Sequence, residues 1–155
     1  MKGIEMSLIT KYFSKIDLVK IREACTKAEK TTSGEIRVSI LQKRTKKQKE
    51  LPIRDIALQE FYSIGMDKTR DKTGILIFIL LKEKQFQIIA DEGINNQVDP
   101  DTWQKEADSL VEYFKNKKYT KGLTLLIENM GATLSKHFPI KDDDTNELSD
   151  EVFVK

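Results

Sequence analysis

A chain of 155 residues, 39% hydrophobic and 34% charged, is the size of one ordinary domain and can bury a core without metal or disulfide staples. Its 27 Lys and Arg against 25 Asp and Glu leave a formal charge of +2, which excludes a general attraction to polyanions such as nucleic acid. The single Cys25 excludes an internal disulfide framework and any multi-cysteine zinc site.

Residues 4 to 14 mix Ile4, Met6, Leu8, Ile9, Tyr12 and Phe13 with polar residues and suggest a short N-terminal helix within an extension over 1–16. From Asp17, read as an N-cap, the apolar residues Leu18, Ile21, Ala24, Cys25 and Ala28 recur at helical spacing until Thr31-Thr32-Ser33-Gly34. Cys25 lies on that stripe and reads as a small core residue rather than a reactive thiol. Glu35-Ile36-Arg37-Val38-Ser39-Ile40-Leu41 alternates with period two and predicts the first strand. The basic stretch Lys43 to Lys49 reads as a solvated loop; it contains no aromatic residue that would stack on a base.

Pro52 opens a second helix whose face is Ile53, Ile56, Ala57, Phe61 and Ile64, closed by Gly65. A charged loop, Met66 to Thr73, then feeds the unbroken apolar run Ile75 to Leu81, a strand covered on both faces. Strand, crossover helix and strand predict a parallel unit with Glu35 and Gly74 at one sheet edge. After the turn Lys82-Glu83-Lys84, the stretch Gln85 to Gly93 alternates and reads as the returning arm of an antiparallel hairpin. That arm brings Asp91 and Glu92 back toward Asp67 and Asp71.

Asp99-Pro100 caps a third helix running through Trp103, Ala107, Leu110, Val111 and Phe114. A fourth begins at Tyr119 and carries Leu123, Leu126, Ile127, Met130, Leu134 and Phe138, with Gly122 and Gly131 suggesting close packing. Residues 139–155 form an acidic tail, mobile over Asp142 to Glu151, in which Val152-Phe153-Val154 is apolar enough to dock.

The expected architecture is therefore an α/β domain over 17–138, a three-layer α/β/α sandwich around a small mixed sheet holding a parallel β-α-β unit and an antiparallel hairpin. Its chemistry is limited. The single His137, at a helix end beside Phe138, offers no Ser-His-acid triad. No phosphate-binding glycine loop is present, and neither Asp67 to Gly74 nor the tail fits an EF-hand. What stands out is the expected meeting of Glu35, Asp67, Asp71, Asp91 and Glu92 at one sheet edge. Their mutual repulsion would be relieved by a hard divalent cation, Ca²⁺ or alternatively Mg²⁺. The competing reading is a solvated acidic rim neutralised by Lys68, Arg70 and Lys72.

The chain resembles the TPM domain family, named for a thylakoid lumen protein, a photosystem II repair protein and a modulator of nicotinic receptors. The resemblance rests on Ser33-Gly34-Glu35-Ile36-Arg37-Val38, on Ile64-Gly65 with Asp71-Lys72-Thr73-Gly74-Ile75-Leu76, on Asp91-Glu92-Gly93-Ile94, and on Phe114, Tyr119 and Gly122-Leu123. It implies the same sandwich and calcium binding at the acidic edge, with Glu35, Asp71 and Asp91 matching best; because no residue is an evident nucleophile or general acid beyond the carboxylates, the role expected is that of a protein-interaction or regulatory module. The alternative it implies is a metal-dependent acid phosphatase acting on phosphate esters. Lys72-Thr73-Gly74 replaces the family's usual Asn-Gly, and Ala90-Asp91-Glu92-Gly93 its Gly-x-Gly, so the loops have their own geometry. No signal-peptide pattern or apolar run of spanning length is seen. The expectation is a free-standing cytoplasmic monomer that partners another protein and neither nucleic acid nor membrane.

Overall fold

The computed structural model describes residues 8–141 and 151–155. A four-stranded mixed sheet lies at its centre, in the order β3-β2-β1-β4. The strands are β1 (Glu35–Leu41), β2 (Gly74–Leu80), β3 (Gln85–Ala90) and β4 (Phe153–Val154). β1 and β2 run parallel in a register that sets Glu35 opposite Gly74 and Leu41 opposite Leu80. The expected parallel unit and its edge are therefore both present. β3 returns antiparallel to β2, with Ala90 opposite Ile75.

The unbroken apolar run of β2 is what a strand covered on both faces requires. Ile75, Ile77 and Ile79 join Ile36, Val38 and Ile40 of β1 under a helical layer. That layer is built from α1 (Lys15–Ala28), α4 (Pro100–Lys115) and α5 (Tyr119–His137), which contribute Cys25, Leu110, Leu126 and Met130 among others. On the opposite face Leu76, Phe78 and Leu80 pack on Ile56, Ala57 and Phe61 of α2 (Ile53–Ser63), the crossover helix. The sandwich thus has the three layers that the patterning predicts. Gly122 and Gly131 sit where helices touch: a β-carbon at Gly122 would overlap Tyr113, and one at Gly131 would press on the Ala28 side chain.

Two details depart from the expectation. The N-cap of α1 is Ser14, and Asp17 completes its capping box by accepting from the Ser14 amide at 2.9 Å, because a Ser-x-x-Asp pattern satisfies two orphan amides at once. A short helix, α3 (Glu92–Asn95), follows β3 immediately, with Asp91 as its N-cap. The apolar end of the chain does dock, as its composition allows: Phe153 and Val154 add a parallel strand to the outer edge of β1, paired with Ser39 and Ile40. Of the expected N-terminal helix, residues 8–10 are helical and Ile9 and Phe13 are buried; its residues 4–7 lie outside the described residues. So does most of the stretch expected to be a mobile tail, residues 142–150. Among the described residues no helix is long and apolar enough to cross a membrane.

One half-buried acid costs the helical layer stability. Glu106 of α4 accepts a hydrogen bond from the Thr133 hydroxyl of α5 at 3.1 Å, while its Oε2 is buried with no partner among the described residues. Burial raises its pKa, opposed by the Thr133 bond. A carboxyl whose pKa is higher folded than unfolded favours folding while protonated. Its contribution is therefore full below the unfolded value near ~4.3 and is lost as pH rises through the folded value. Glu106→Gln is expected to stabilise the domain by ~1 kcal/mol at pH 7, with the difference closing below about pH 4. Urea unfolding at both pH values checks this; a stability loss at pH 7 would show the ionised group to be well solvated.

Candidate functional site

The amino-end edge of the sheet is assembled from three loops. Gly65, left-handed at φ 80°, ends α2 and starts a 3₁₀ turn over Met66–Lys68, a conformation that favours glycine. The turn is anchored by Met66, which is fully buried. The chain then folds back: the Thr73 amide donates to the Thr69 hydroxyl at 3.1 Å, and Lys72 takes a positive φ of 57°. From the other side, the Asp91 amide donates to the Gly74 carbonyl at 2.9 Å. Glu35, Gly74 and Asp91 consequently stand in a row across the ends of three strands.

Gly93 lets α3 lie directly on the 66–73 loop. A β-carbon at this position would overlap the backbone carbonyl oxygens of Asp71 and Lys72. The third loop comes from the end of α5. Pro139 bridges to Thr32, and the Ser33 amide donates to the Phe138 carbonyl at 2.9 Å. This contact delivers Lys141 to Asp71, 3.3 Å from Oδ2.

The five acidic residues named from the sequence reach this edge but divide into three environments. Asp67 and Asp91 belong together: Asp67 Oδ1 and Asp91 Oδ2 are both buried, with no hydrogen-bond partner among the described residues. Burial raises the pKa of Asp91, and the charges of Glu92 and Asp67 add to the rise, while the Glu92 amide and the Lys72 ammonium oppose it. Lys72 reaches over the pair, its Nζ donating to the Asp67 backbone carbonyl at 2.7 Å. Glu92 is exposed at the start of α3.

Asp71 faces the other way. It is exposed, and Lys141 and then Arg70 hold its carboxyl below the usual range. Glu35 is buried and bound to Arg37, Oε1 to Nη2, at 3.0 Å. Among the described residues no three His, Cys, Asp or Glu side chains are arranged so as to hold a metal ion.

Beside Asp71 a groove of ≈ 400 Å³ is lined by Ser33, Thr73, Gly93, His137 and Lys141. No sequence pattern places His137 and Lys141 at this edge. They arrive through the Thr32–Pro139 bridge, a contact across about a hundred residues that no local pattern signals. Lys141 alone, as a cation in an otherwise acidic neighbourhood, had the charge to be suspected.

An α/β/α domain with a mixed sheet and acidic loops gathered at the amino end of its parallel pair is the class these features define. The family model of the TPM domain matches residues 9–133, and the chain belongs to that family. Among solved structures it is similar to the BA42 protein of the psychrophilic bacterium Bizionia argentinensis, with 33% identity over 93% of this chain and 96% of that one and a TM-score of 0.83. The same fold is found in the N-terminal domain of a P. gingivalis protein, with 15% identity, 82% and 79% coverage and a TM-score of 0.66. It is found again in the N-terminal domain of the cg2496 protein of Corynebacterium glutamicum, with 14% identity, 89% and 83% coverage and a TM-score of 0.60. No curated protein matches the chain.

Proposed function

We propose that this domain binds a divalent cation, Ca²⁺ in preference to Mg²⁺, between Asp67 and Asp91, with the exposed Glu92 turning in only on binding, and that the ordered loops form a surface for a partner protein. The observation that carries this reading is the pair of buried carboxylate oxygens, Asp67 Oδ1 and Asp91 Oδ2, that lack a hydrogen-bond partner among the described residues. Leaving such oxygens buried and unpaired costs stability, and a hard cation ligated by oxygen removes the cost. The donor set is all oxygen, which suits Ca²⁺ or Mg²⁺ and not a soft metal. Asp71 joins only by releasing Arg70 and Lys141. Glu35 is the least suited of the five, because its charge is already met by Arg37.

The test is an amide-shift titration and a thermal melt in Ca²⁺ and then Mg²⁺. At a free concentration a hundred times the Kd, binding is expected to raise the Tm by about 5–10 °C. Shifts should be confined to residues 65–74 and 90–95. Asp91→Asn should remove both responses while making the metal-free protein more stable, since it deletes a charge that burial disfavours. An unchanged melt at millimolar Ca²⁺ and Mg²⁺ would sink the proposal, as would an equal response in Asp91→Asn.

A second reading has one observation in its favour. The groove beside Asp71 also holds His137 and Lys141, a proton carrier and a phosphate-binding cation within reach of the acidic loops. Turnover of p-nitrophenyl phosphate that is lost on chelation, in Asp91→Asn and in His137→Asn would make this a metal-dependent phosphatase. Binding without turnover supports the interaction module.

A further inference from the structure

At the opposite end of the sheet, where β1 and β2 finish at Leu41 and Leu80, the protein has a larger groove of ≈ 730 Å³. Its volume is that of a small-molecule site, and the carboxyl ends of parallel strands are where open α/β sheets bind ligands. Its apolar surface comes from the half-buried Leu8 and Leu41, above Ile56 and Phe78, which are almost fully buried.

Beneath one side lies a buried polar group. The Ser39 hydroxyl donates to Glu60 Oε2 at 2.5 Å, and Lys155 Nζ to Glu60 Oε1 at 2.7 Å. The same Lys155 is held by β pairing, its carbonyl accepting from the Gln42 amide at 2.9 Å. Facing it, Arg44 fixes the basic 43–51 loop as a wall. It pairs with Glu83 at 2.6 Å and donates to the carbonyls of Leu51 at 2.5 Å and Gln48 at 2.9 Å. The groove is therefore preformed, and the basic stretch that reads as a solvated loop is one of its sides.

Charge decides what fits. Lys43, Arg44, Lys82 and Lys155 line the groove, against Glu60 as the one acidic side chain among its described lining residues. Glu60 is satisfied by Ser39 and Lys155, so it offers no charge to a cation, whereas Lys43 and Lys82 stand at the rim. We propose that this groove binds a small amphiphilic anion, with an aromatic or branched aliphatic body against Leu8 and Leu41 and a carboxylate, sulfonate or phosphate head held by Lys43 and Lys82. The site lies at the other end of the strands from the acidic loops and is independent of the cation proposal.

The experiment is an amide-shift titration with 8-anilinonaphthalene-1-sulfonate, compared with the neutral N-phenyl-1-naphthylamine, which has the same body without the head. The sulfonate is expected to give saturable shifts at residues 41–45, 59–63 and 80–82 and at Lys155, and to bind at least about tenfold more tightly than the neutral compound. The double variant Lys43→Glu, Lys82→Glu changes surface side chains and should fold; it should weaken the sulfonate ~tenfold or more and leave the neutral compound unchanged. Ser63→Trp, on the exposed face of α2 at the groove's side, should block both. Equal affinity for the two compounds, shifts away from the groove, or full sulfonate affinity in the double variant would overturn the proposal.

Discussion

Arg37→Met is expected to destabilise the domain by about 3–5 kcal/mol, the cost of removing one partner from a buried ion cluster. The Arg37 side chain is 1% exposed and lies between two carboxylates: Nη1 is 2.6 Å from Glu29 Oε2, and Nη2 is 3.0 Å from Glu35 Oε1. Nη1 also donates to the Ile36 carbonyl at 2.6 Å. β4 covers β1 only at Ser39 and Ile40, and the cluster closes the amino half of the strand, where Glu29 accepts the Ile36 amide at 3.2 Å. Methionine fills much of the same volume, so the loss reports charge rather than a cavity. Glu35→Gln placed on top of Arg37→Met should restore part of the stability, because one uncompensated carboxylate is then gone. Urea unfolding of the single and double variants measures both effects. A loss below about 1 kcal/mol would mean the cluster behaves as a solvated surface pair.

That cluster also marks where sequence reading reaches its limit. The apolar run of β2, the alternation in β1 and β3, and the proline-opened and aspartate-capped helices all specify their elements, because burial and hydrogen bonding act locally on period and cap. Topology then places Glu35, Gly74 and Asp91 at one edge with no side-chain information. What alternation does not give is exposure. Read with period two, Glu35, Arg37 and Ser39 form a polar face, the usual mark of solvent, yet all three are buried. The face is covered instead by acidic partners outside the strand, Glu29 from the turn just before it for Arg37 and Glu60 from α2 for Ser39. The spacing carried one usable signal. Residues two apart on a strand point the same way, so Glu35 was always set to meet Arg37 before it could meet Asp71.

The acidic loops follow the same rule. Asp67 and Asp71 are four residues apart in one loop, but the positive φ at Lys72 and the 3₁₀ turn at Met66 aim them into different surroundings. α3 was legible in principle, since Asp91-Glu92-Gly93 begins with a strong N-cap residue. A hairpin arm extended to Gly93 hides it. Lys141 and His137 depend on a contact between the two ends of the domain, and only the folded chain supplies that.

Gly93→Ala is expected to cost about 2–4 kcal/mol and to abolish the response to divalent cations. The reason is space rather than backbone freedom. The added β-carbon would overlap the carbonyl oxygens of Asp71 and Lys72, and backbone atoms held by the turn at Thr69 to Thr73 cannot yield as a side-chain tip does. α3 and the 66–73 loop must then separate, which carries Asp91 away from Asp67 and opens both buried oxygens to water. Gly34→Ala is the control: its β-carbon would stand 3.2 Å from a Leu134 methyl, a contact that a small side-chain shift relieves for under ~1 kcal/mol. Urea unfolding and a Ca²⁺ titration of the two variants separate the cases. If Gly93→Ala proved as mild as Gly34→Ala and still responded to Ca²⁺, then close apposition of the loops would not be what assembles the edge.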